Sequence, residues 1–247
     1  MWFAEGIGNK IGRVTTAGTF TEYVIPTSPG TPIGIAAGPD DALWFAEQDG
    51  NKIGRITTSG SITEYPIPTS KSSPESIATG PDGALWFTEI GANKIGRITT
   101  GGAVTEFPIP SPNVDPGGIA AGPDGALWFT EILNATIGRI TTTGRINEFA
   151  ISASSSSPYQ LAAGADGALW FTDFGTNSIG RITTGNVGGL VAAVLPSSRS
   201  VEVGNTATAF ATIINSGSSA ASGCAIVPVT TVPANFVYQT TNPATNR

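Results

Sequence analysis

Histidine is absent from all 247 residues. The commonest general base and metal ligand at neutral pH is therefore missing, and any such chemistry falls to carboxylates, phenols and hydroxyls. Cysteine occurs once, at Cys224, so no intrachain disulfide can form. Charge is scarce: Asp, Glu, Lys and Arg make up 12 % of the chain, with 12 cationic against 18 acidic side chains and a net charge of −6. That balance offers no electrostatic attraction to nucleic acid or to an anionic membrane. No apolar run reaches membrane-spanning length, which speaks against membrane insertion. The opening residues lack the charged and apolar regions of an export signal. Helical periodicity is missing as well. What abounds is turn chemistry, with 32 Gly and 18 Pro. This composition predicts an all-β protein.

The β segments recur with a fixed period. Trp2, Trp44, Trp86, Trp128 and Trp170 stand 42 residues apart. Each is followed, at a constant distance, by "IGRVTT" or "IGRITT", and then in four units by "FTEYVIP", "ITEYPIP", "VTEFPIP" or "INEFAIS". A "GPDDAL", "GPDGAL" or "GADGAL" turn precedes the Trp in the last four units. The third unit reads as four strands, over 76–79, 84–89, 94–99 and 103–109, with Asp82-Gly83 and Gly101-Gly102 supplying turns. Four short strands in a period of about 40–45 residues mark a propeller blade. A regular hairpin places Phe87 opposite Gly96 and Trp86 opposite Arg97, so that ring covers glycine and guanidinium stacks on indole. These four residue types read as packing between blades.

The domains expected are propeller repeats over 1–186 and a different segment over 187–247. Five blades are expected, the first and last incomplete. Met1 stands where later units have Leu43, Leu85, Leu127 and Leu169, and the last unit has no "TEFPIP". This suggests an open arc whose unpaired strand edges invite self-association. From about Gly188 charge almost vanishes and apolar residues alternate with small polar ones, which predicts a truncated immunoglobulin-like β-sandwich. A low-complexity tail is the alternative.

The phrase "ALWFTE…NKIGRITT…TEFPIP" over residues 1–184 resembles the streptogramin B lyase (virginiamycin B lyase) family, which implies a seven-bladed propeller. The family's reaction is a Mg²⁺-assisted elimination that opens a cyclic depsipeptide. A base takes a proton beside the ester carbonyl while the metal supports the developing charge. The resemblance places catalytic histidines in a "P-H-x-I" segment of two late blades and an acid at the "WFxE" position. Here the histidine positions hold Ile33, Glu75, Gly117 and Tyr159. The "WFxE" acids persist as Glu5, Glu47, Glu89 and Glu131, with Asp173 in the last unit, and Asp115 precedes Pro116.

The resemblance thus implies catalytic candidates Glu75, Glu89 and Glu131. It implies Mg²⁺ candidates Glu47, Glu89, Asp115, Glu131 and Asp173, and a binding candidate Tyr159. The pair Glu75 and Glu89 is expected on one rim. The plainer reading of the repeated Glu is structural: it accepts hydrogen bonds from the following turn or pairs with the Lys of "NK". A weaker similarity to metal-dependent lactonase propellers would add Asn93 beside Asp115. Beside a hydrolase of that lactonase type, two functions stay open. One is a lyase-type propeller, catalytically incomplete without histidine, that meets a cyclic depsipeptide in the cytoplasm. The other is a non-catalytic scaffold that binds a small ligand or a protein from an extracellular or cell-surface chain.

Overall fold

The computed structural model describes residues 1–153 and 155–184, and beyond them the backbone of two strands. The chain divides into two compact units, Met1–Thr184 and Gly185–Arg247. The first unit is a succession of antiparallel sheets, one per repeat. Blade 1 holds β1 (Trp2–Glu5), β2 (Lys10–Val14) and β3 (Phe20–Val24). Blade 2 holds β4 (Pro32–Ala37), β5 (Ala42–Glu47), β6 (Lys52–Thr57) and β7 (Ile62–Pro66). Blade 3 holds β8 (Pro74–Thr79), β9 (Leu85–Glu89), β10 (Lys94–Ile98) and β11 (Val104–Pro108). Blade 4 holds β12 (Pro116–Ala121), β13 (Leu127–Glu131), β14 (Thr136–Ile140) and β15 (Ile146–Ala150). Blade 5 holds β16 (Pro158–Ala163), β17 (Leu169–Asp173) and β18 (Ser178–Ile182). This is a partial all-β propeller. In the second unit β19 (Leu190–Leu195) pairs antiparallel with β20 (Phe210–Asn215). The immunoglobulin-like expectation otherwise lies outside the described residues.

The register within each blade follows from the glycine of "IGR". Gly96 sits across from Phe87 and Arg97 across from Trp86, as the spacing predicts. A side chain at Gly96 would come within 2.1 Å of the Phe87 ring, so only glycine lets that ring lie flat on the neighbouring strand. Arg97 stacks on Trp86 with its guanidinium 5.8 Å from the ring centroid. The turn before the Trp strand does more than reverse the chain. Asp82 accepts the Trp86 indole N–H at 3.0 Å on Oδ1 and the Arg97 Nε–H at 2.7 Å on Oδ2. Asp40, Asp124 and Asp166 repeat this arrangement.

Blades bury their apolar faces against one another. Trp44, Ile53 and Ile67 of blade 2 pack on Ile77, Leu85, Phe87 and Ile98 of blade 3. Equivalent clusters join the other neighbouring pairs. Each fully buried Leu, Ile or Phe contributes about 1.5–3 kcal/mol. Polar stitches add direction. Glu106 of blade 3 accepts the backbone N–H of Thr69 in the loop leaving blade 2, and Glu64 and Glu148 do the same one blade earlier and later.

Candidate functional site

The innermost strands β4, β8, β12 and β16 touch one another from blade to blade. Each carries a bulge just after its proline, between Pro32 and Ile35, Pro74 and Ile77, Pro116 and Ile119, and Pro158 and Leu161. A bulge re-aims a side chain and is common beside active sites. The four positions that the lyase resemblance assigns to histidine, Ile33, Glu75, Gly117 and Tyr159, all sit in these bulges. They form one inner rim.

Threonine hydroxyls hold that rim. Thr88 accepts the N–H of Ser76 in its own blade and donates to the carbonyl of Gly117 in the next. Thr130 repeats this, accepting from Gly118 and donating to the Tyr159 carbonyl. Blade 2 has Ala46 at this position and no hydroxyl. There Gly34 brings the backbones together directly, and a side chain on it would come within 2.5 Å of the Glu75 carbonyl.

Two rim residues meet. Tyr159 donates its phenol O–H to Glu75 Oε1 at 2.6 Å, across an intervening blade. That blade presents Gly117, where any side chain would press on Thr130, Ile132 and the Tyr159 carbonyl. The bond to Glu75, with burial, pushes the Tyr159 phenol up to about 12. The edge of Phe174 packs on the Tyr159 ring, centroids 5.9 Å apart. Ile33 remains 40 % exposed on the same rim.

The "WFxE" acids lie elsewhere, and the expectation for them needs correction. Glu47, Glu89 and Glu131 are fully buried, and neither oxygen of any of them has a hydrogen-bond partner. They do not pair with the Lys of "NK". Lys52 goes instead to Glu64 at 2.7 Å and Lys94 to Glu106 at 3.6 Å. Glycines leave room for such an acid: a side chain at Gly96 would come within 2.7 Å of Glu89 Oε1, and one at Gly50 within 2.9 Å of Glu47 Oε2. Only Asp173 behaves as expected, accepting from the Ser156 hydroxyl and the Ser157, Gly175 and Thr176 amides. Burial pushes Asp173 up, but these bonds prevail and hold it at about 2.

Of the expected pair, Glu75 lies next to Pro74, the strand partner of Glu89; Glu75 accepts from Tyr159, and Glu89 has Glu106 as its neighbouring carboxylate. Asp115 sits in the left-handed region (φ 50°) before Pro116. Asn93 is consumed by backbone: its side chain donates to the Ile109 and Ser111 carbonyls and accepts from Val114.

The family model for virginiamycin B lyases matches residues 1–212. The chain belongs to the virginiamycin B lyase family. Virginiamycin B lyase from Staphylococcus aureus is 51 % identical, with a TM-score of 0.71 over 73 % of this chain and 61 % of that one. A catalytically inactive histidine-to-alanine variant from the same organism, crystallised with quinupristin, is 50 % identical with a TM-score of 0.73, over 75 % of this chain and 64 % of that one. A streptogramin B lyase is 42 % identical with a TM-score of 0.69, over 75 % and 66 %. The chain thus spans less than two thirds of the length of these lyases. A search of curated proteins returned no match.

The magnesium that the family implies does not fit the residues present. Among the described residues, no three Asp, Glu, His or Cys side chains gather as a metal-holding group. Of the five acids proposed for it, Glu47, Glu89 and Asp173 lie one each in blades 2, 3 and 5 and Asp115 and Glu131 both belong to blade 4, and Glu47, Glu89 and Glu131 are fully buried.

Proposed function

We propose that this chain is a streptogramin B lyase-like propeller that keeps the family's ligand-facing rim but performs no elimination by itself. One observation carries the reading. At the positions assigned to histidine stand Ile33, Glu75, Gly117 and Tyr159, and the one carboxylate among them is already engaged by a phenol. An elimination needs a free base aimed at the carbon acid. Glu75 commits Oε1 to the Tyr159 hydroxyl, which fixes its carboxylate in place, and a phenol held near 12 gives up its proton reluctantly. The rim instead offers an acid, a phenol and the exposed surfaces of Ile33 and Phe174, which suit a small amphipathic ligand.

A cyclic depsipeptide of the streptogramin B class is the ligand supported by the family resemblance. The low charge of the chain beyond Gly188 supports an extracellular setting. The test incubates the 247-residue chain with quinupristin beside a full-length lyase. Elimination leaves an isomer of equal mass, so the products are separated by chromatography and identified by fragmentation. The expected result is saturable binding with no ring-opened product. Enzyme-dependent ring opening that disappears in Glu75→Gln would overturn the reading.

A further inference from the structure

The function proposed above leaves three carboxyl groups unused. Glu47, Glu89 and Glu131 are fully buried with both oxygens unpartnered. A bare carboxylate in such a place is far costlier than a neutral acid. The strand register shows what each one faces. Gly96 lies between Phe87 on one side and Glu106 on the other. A side chain at Gly96 would come within 2.7 Å of Glu89 Oε1, so the Glu89 carboxyl sits above that glycine, on the face that carries Glu106. Gly54 stands in the same way between Phe45 and Glu64, and Gly138 between Phe129 and Glu148.

We propose that each of the three four-stranded blades holds one proton on its buried acid, Glu47, Glu89 and Glu131, beside an ionised outer glutamate, Glu64, Glu106 and Glu148, and that Glu89 and Glu131 donate that proton to their partners. The acids that the lyase resemblance would give to magnesium hold hydrogen instead. The charged groups facing each site agree. Glu64 and Lys52 face Glu47, Glu106 and Lys94 face Glu89, and Glu148 faces Glu131. The lysines are bound to the outer glutamates and keep those ionised. Burial first, then repulsion from the outer glutamate, raises Glu47 to about 7 and Glu89 and Glu131 to about 8. Blade 5 provides the contrast, since Asp173 is one methylene shorter, is satisfied by four bonds and stays ionised.

The sign of the pH effect follows. An unfolded glutamate loses its proton at about pH 4.3. Between there and about pH 8 the folded chain binds protons that the unfolded chain does not. Stability is therefore fully present below the unfolded value, falls as pH rises through this window, and levels off above it.

The test is denaturant unfolding of the whole chain from pH 5 to pH 9, together with infrared spectroscopy of the carboxyl carbonyl band. We expect folding to take up close to three protons near pH 6. Each of Glu47→Gln, Glu89→Gln and Glu131→Gln, an isostere of the neutral acid, should fold and lower that number by about one. The protonated-carboxyl band should shrink in step and vanish in the triple variant. Stability independent of pH in the parent chain would overturn the proposal, as would an absent carboxyl band at pH 6. So would saturable Mg²⁺ binding that Glu89→Gln abolishes.

Discussion

At the scale of single residues, glycines and their cross-strand rings decide what each blade tolerates. Gly96→Ala drives a methyl into the Phe87 ring and the Glu89 carboxyl together. We expect a loss of about 1–3 kcal/mol, read as a lower urea midpoint with an unchanged slope. Tyr159→Phe leaves the buried Glu75 without its donor and should cost about 1.5–3 kcal/mol. In the converse variant, Glu75→Gln, one tyrosine that titrates near 12 by ultraviolet absorbance should move down toward the ordinary value of about 10. Part of this was legible in the chain. The pairing of Phe87 with Gly96 and of Trp86 with Arg97 follows from counting residues along a hairpin. The meeting of Glu75 with Tyr159 does not, because it depends on the angle between blades and on the gap left by Gly117. Glu89 shows the opposite failure. Its repetition marked it as structural, but a strand-end acid is ordinarily solvated, and only the depth of the "IGR" glycine reveals a buried one.

At the scale of elements, Thr88 and Thr130 of "WFT" tie the bulges of blades 3, 4 and 5 in series. Thr130→Val keeps the shape and removes the hydroxyl, leaving the Gly118 N–H and the Tyr159 carbonyl without this partner. The expected cost is about 1–3 kcal/mol, with faster hydrogen exchange at the Gly118 amide. Unchanged exchange there would mean that the bulge is held by packing alone. The strands themselves were legible within one or two residues at most ends, since Asp-Gly and "GG" turns bracket them; Gly83 and Gly102 have φ of 72° and 88°. The bulges were not legible, because an extra residue in "PESI" or "PYQL" leaves no mark in composition. The role of Asp82 was hidden for a related reason. An aspartate in a Pro-Asp-Gly turn is explained by the turn, so its grip on Trp86 and Arg97 passes unnoticed until the side chains are placed.

At the scale of the whole molecule, position in the succession sets stability. Blade 3 is covered on both faces, and Trp86, Phe87, Ile95 and Ile98 are all fully buried. Blade 1 is covered on one face among the described residues, and Met1 and Phe20 are 83 % and 68 % exposed. Amides of β9 and β10 should therefore exchange the slowest, and those of β1 and β3 the fastest of the first four blades. Uniform protection across the blades would show that the repeats open only together. The fold was the most legible level of all, because a 42-residue period with four strands admits few other architectures. Function was the least legible, since it rests on a handful of rim positions that vary while the repeat around them does not.

The stitches between blades have a consequence for how such a chain grows. Glu64, Glu106 and Glu148 each reach back 37 residues to a backbone amide, and Thr88 and Thr130 each reach forward 29 residues to a carbonyl. Every one of these bonds starts in one unit and ends in the adjacent unit, whatever the unit's number. A gene that duplicates in frame the 42 codons of the third unit, which carries both Thr88 and Glu106, therefore reproduces both kinds of bond. A slip of a single codon breaks the series at that point.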